Sequence, residues 1–123
     1  LGATMNKVTV ITMTEFGRRV KENASGGTDH GAGSAMLLMG GGVVGGQVYA
    51  EWPGLADSNL FNGDLDVTVD YRTVLNELLH KRRRDGNAEG QFPGFEPGPW
   101  LGCFKKANVE SYDYPNPPKI PSD

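Results

Sequence analysis

What this sequence has little of narrows its possibilities first. Its 123 residues include one cysteine, Cys103, and two histidines, His30 and His80. A single thiol excludes an internal disulfide framework and says nothing about redox compartment; a buried, inert thiol is the plain expectation. Long apolar runs are missing too: none reaches the roughly 18 residues a membrane span needs. Excess positive charge is absent. A formal net charge of −3 gives no general electrostatic case for nucleic acid or an anionic membrane. The one basic run, HKRRR at 80–84, is too short to overturn that. The opening LGATMNKVTV carries no signal peptide and runs straight into a strand. We therefore expect a piece of a longer protein whose upstream part is missing.

Glycine and proline are abundant, at eighteen and eight residues, and point to many turns. The length suits one domain, or part of one, with a modest core. Residues 7–14, KVTVITMT, are short and apolar on both faces, as in a strand covered on both sides within an α/β sheet. Residues 15–24 read as a short helix or a polar loop. Residues 34–39, SAMLLM, predict a second buried strand beside the first. QVYAEW at 47–52 alternates and predicts a third, closed by Pro53-Gly54. The clearest element is a helix over 71–84, with Tyr71, Val74, Leu75, Leu78 and Leu79 on one face and Asp70 as N-cap. Basic residues at its end suit the helix dipole, which gives HKRRR a structural role. FPGFEPGPWLGCF at 92–104 predicts an irregular flap packed on the body, with Trp100, like Trp52, used for packing. The proline-rich end predicts an extended tail over 105–123.

Chemistry concentrates in SGGTDHGAG at 25–33, where Asp29 and His30 sit side by side among glycines. Adjacent side chains diverge on regular elements, and glycines at 26, 27, 31 and 33 let the backbone bend so that both converge. The residues alone leave two readings open: half of a metal site, or an Asx-type turn with a surface histidine. Glu15 and Arg18 follow the first strand at its C-terminal end, where α/β sheets place ligands. Glu15 is a candidate ligand or a partner orienting His30, and Arg18 a candidate for an anionic oxygen. Both are equally ordinary solvated residues.

Four stretches in order carry a resemblance: TEFGR at 14–18, GGTDHG at 26–31, GGGVVGGQVYAEWPGL at 40–55 and TVDYR at 68–72. Over about residues 7–104 the chain resembles an uncharacterised, sulfatase-like family of exported bacterial proteins, domain of unknown function 1501, within the alkaline phosphatase superfamily. The resemblance implies an α/β fold for residues 1–104, the C-terminal part of a three-layer α/β/α domain with glycine- and proline-rich loops. It implies a metal-dependent hydrolase of phosphate or sulfate esters, with a divalent metal (Zn, Mn or Ca) in the full-length protein, and with Asp29 and His30 as ligands to one metal. The superfamily's nucleophile and several ligands lie upstream, so this chain is expected to lack activity by itself. His80, among basic residues on the helix, does not match the further metal-binding histidine. The partners implied are the upstream part of the same protein or, for the isolated chain, a second copy. The family's export implies a periplasmic or exported location. The alternative is a non-catalytic binding or structural module that keeps the fold without the chemistry.

Overall fold

The computed structural model describes residues 2–83 and 91–106. A 3-10 helix, Gly2–Lys7, leads into four short strands: β1 Thr9–Ile11, β2 Gly17–Arg18, β3 His30–Gly31 and β4 Leu38–Gly40. A 3-10 turn, Asp57–Asn59, and the helix α1, Tyr71–Leu78, follow. The strands form two antiparallel pairs, β1 with β4 and β2 with β3.

The 7–14 and 34–39 runs are neighbours as expected, with Val10 opposite Met39 and Ile11 opposite Leu38. Their expected burial is not observed. Ile11 and Leu38 pack against the core, whereas Val10 is 44% and Met39 51% exposed. Side chains alternate across a strand, and the described residues cover only one face of this pair. The strand expected at 47–52 does not form. Glycines precede it, Pro53 follows it, and no neighbouring strand pairs with its backbone among the described residues. The choice left open at 15–24 falls to loop and strand: β2 lies within it.

Helix α1 begins where the sequence places it. The Asp70 side chain accepts the Arg72 backbone N–H at 2.8 Å, satisfying one of the open amides of the first turn. Beyond Leu78 the chain widens into a π-type turn, Leu79–Arg83. Val74 is buried, and Leu75, Leu78 and Leu79 are half-buried, but Tyr71 is exposed. The buried stripe instead takes in Asn76 and Glu77. Two of the basic residues after the helix have structural roles: Lys81 pairs with Glu77 at 2.7 Å, and the Arg82 guanidinium donates to the Asn6 carbonyl at 2.7 Å.

Residues 101–105 explain the rotated stripe. This irregular strap crosses the helix and completes the core, where Cys103 and Phe104 are 1% and 2% exposed. Glu77, fully buried, accepts the Gly102 N–H at 3.0 Å and the Phe104 N–H at 3.1 Å. On its other side the strap pairs with the glycine-rich 42–44 segment. Val44 N–H donates to Cys103 O at 2.9 Å, and Lys105 N–H to Gly42 O at 2.8 Å. The Tyr49 hydroxyl shares its single proton between the carbonyls of Val44 and Gly102. Phe95 is buried and Trp100, though 40% exposed, lies against His80 and Lys81, so the flap expected at 92–104 packs in part. Trp52 does not pack: it is 66% exposed. Among the described residues no helix is long and apolar enough to cross a membrane. Arg84 and the tail from residue 107 lie outside the described residues.

Candidate functional site

The TEFGR and GGTDHG stretches zip together. Gly17 pairs with Gly31 and Arg18 with His30, and the Arg19 N–H donates to Asp29 O at 3.0 Å. The other edge of this segment meets residues 63–64, through an Arg19–Asp64 bridge and a Val20 N–H bond to Gly63 O. Gly17 is buried, and a Cβ there would overlap the carbonyl of Gly33, so only glycine lets the backbones approach this closely.

Asn23 builds the loop between the strands. Its side-chain oxygen accepts the N–H groups of Ser25 and Gly27, both at 3.0 Å, around Gly26 at φ +74°. Its amide donates to one Asp29 oxygen at 2.8 Å. Sequence reading did not single out Asn23, although an asparagine whose side chain can accept the N–H two residues on, here Ser25, is a turn former with a known mechanism.

His30 is exposed and stacks on Phe16, with ring centroids 3.5 Å apart and planes 21° from parallel. Among the described residues neither ring nitrogen makes a hydrogen bond. Arg18 sits directly across the ladder, on the same face as His30. One of its N–H groups donates to the Thr28 carbonyl at 2.9 Å, and its guanidinium carbon lies 5.2 Å from the Phe16 centroid. Glu15 is exposed and makes no hydrogen bond or ion pair among the described residues. The structure thus brings Arg18 and His30 together over Phe16, a residue missed from sequence. It draws Asp29 toward Asn23, and Glu15 bonds to none of these residues.

Among the described residues no three His, Cys, Asp or Glu side chains gather as a metal-binding group. Asp29 and His30 offer one open carboxylate oxygen and an unengaged imidazole. Oxygen and nitrogen donors suit divalent ions, and two of them fit part of a coordination sphere. The thiol is no candidate nucleophile. Burial, reinforced by the Glu77 carboxylate, pushes the Cys103 pKa up and disfavours the reactive thiolate. An open groove of about 420 Å³, lined in part by Tyr49, Glu51, Asp70, Thr73 and Leu101, shares no residue with the ribbon.

The family model described as Protein of unknown function (DUF1501) matches residues 1–87. The chain belongs to this family. The match takes in both DUF1501 ribbon strands and helix α1, and it ends before the strap that Glu77 holds. No curated protein and no solved structure matches this DUF1501 chain.

Proposed function

We propose that this DUF1501 chain is the C-terminal portion of a sulfatase-like, metal-dependent hydrolase of phosphate or sulfate esters, in an alkaline-phosphatase-like three-layer α/β/α domain. One observation supports it above others: the two stretches that hold Asp29, His30 and Arg18 pair through their backbones as a single ribbon whose side chains stay exposed. Asp29 and His30 would hold one divalent metal (Zn, Mn or Ca), with the remaining ligands and the nucleophile from the upstream part of the same protein. When bound, such an ion would lower the pKa of water or stabilise an alkoxide, and would offset charge on the transferring group. For both residues to reach one ion, the Asp29 carboxylate would have to leave the Asn23 amide and the backbone at 29–30 would have to bend, because neighbouring side chains on an extended segment face opposite ways. Phe16 keeps the imidazole in place meanwhile. The isolated chain is inactive in this reading and self-associates where the upstream part would dock; the parent protein is periplasmic or exported.

Titration of Zn or Mn into the chain tests the ligands. Wild type should bind weakly, because two donors leave the rest of the sphere to water, and Asp29→Ala/His30→Ala should not bind. Equal binding by both proteins rules the site out. In the longer protein, hydrolysis of aryl phosphate or aryl sulfate that a chelator abolishes supports the hydrolase. An upstream region without a nucleophile favours the non-catalytic module.

A further inference from the structure

Arg18 and Arg19 are neighbours with opposite surroundings. The Arg19 guanidinium is engaged by the Asp64 carboxylate at 3.3 Å and by the Asn62 carbonyl at 2.5 Å. Arg18 has no carboxylate partner among the described residues. It is nevertheless anchored, through Thr28 on one N–H and over the Phe16 ring, 5.2 Å from its centroid. A guanidinium carries five N–H donors, so most of those on Arg18 face outward without a protein acceptor. The nearest acid in sequence on the partner strand, Asp29, is turned to Asn23. Across the ladder stands the exposed imidazole of His30.

A fixed stem, a planar fork of open donors and no competing carboxylate make a receptor for a tetrahedral oxyanion, because the fork matches two oxygens at once. We infer that Arg18 binds a pair of non-bridging oxygens on an anionic ester, and that Phe16 sets the angle at which the fork meets them. The ligand class is a phosphate monoester or a sulfate ester, held beside His30. The inference rests on reading the ribbon as part of an ester-hydrolase site, yet the Arg18 contact needs no metal.

The test therefore runs without one. Inorganic phosphate and, separately, sulfate are titrated into the 123-residue chain in the presence of a chelator, following the Arg18 Nε–H signal by NMR. Wild type should show saturable binding. Arg18→Gln should weaken it about tenfold, the size expected for charge-assisted hydrogen bonds. Lys21→Gln removes the same charge from an exposed site and should leave affinity within about twofold. Arg18→Lys keeps charge and stem without the fork; it should bind at least about threefold more weakly, and serves if Arg18→Gln does not fold. Tighter phosphate binding points to a phosphate ester, and tighter sulfate binding to a sulfate ester. Absence of saturable binding, a loss under about threefold in Arg18→Gln, or an equal loss in Lys21→Gln overturns the inference. Metal titration is read independently: a chain that binds Zn but not phosphate keeps the proposed function and loses this one.

Discussion

Two polar centres in this molecule are built on opposite plans. Around Glu77 every donor and acceptor is used internally: two strap amides and one ammonium meet a carboxylate with no exposure. Around His30 the backbone is paired just as fully, but the side chains stop short. An imidazole, one carboxylate oxygen and most of a guanidinium are left to solvent. A buried carboxylate that lacked such partners would be costly, so the first centre has to be closed. An exposed group loses little by waiting for a ligand. Saturation follows from burial at the structural centre, while the open centre stays accessible to solvent.

The largest effect should come from the closed centre. Glu77→Ala strands the buried Phe104 amide, the half-buried Gly102 amide and the Lys81 ammonium, and should cost about 3–5 kcal/mol in urea unfolding. A loss below about 1 kcal/mol would mean the strap is held by packing alone. Next comes Asp70, which joins the two styles, capping α1 while reaching water. The Arg72 guanidinium, helped by the Arg72 backbone N–H, holds the Asp70 carboxyl below its ordinary pKa against a smaller opposing effect of burial. A depressed pKa stabilises the fold above the unfolded value and ceases to do so as pH falls through the folded one. Asp70→Ala should therefore cost about 0.5–1 kcal/mol at pH 7, a small value because both partners are over a third exposed, and the gap should close below about pH 4. Urea midpoints at pH 7 and pH 3 measure this. The smallest effect belongs to the open centre: Asp29→Ala and His30→Ala should each change stability by less than about 0.5 kcal/mol while abolishing metal binding. A large stability loss there would erase the contrast.

Local features were legible in the sequence and remote ones were not. Asp70 before an amphipathic run announces its helix because cap and periodicity lie within a few residues of each other. The β1–β4 pairing was legible from two short apolar runs. Its half-exposed faces were not, because an apolar run records what can be covered, not what covers it. Glu77 did not stand out, since its partners lie 25 and 27 residues away in a stretch without pattern. QVYAEW has a strand's alternation but no neighbour to pair with among the described residues. At the candidate site, Asp29, His30 and Arg18 stood out by chemistry. Phe16 and Asn23, which orient them, became visible only through the ladder and the loop.

The bonds from Glu77 to Gly102 and Phe104 span 25 and 27 residues. During synthesis, the helix therefore leaves the ribosome well before the amides that complete it. Until they arrive, Glu77 remains hydrated, Val74 lacks its cover, and the face of α1 toward the future core stays wet. The last stretch of the described chain closes the first, so an interrupted product ending near residue 90 would display a cap and a helix but no sealed interior. Long-range closure of this kind slows folding and leaves apolar surface open in the interval.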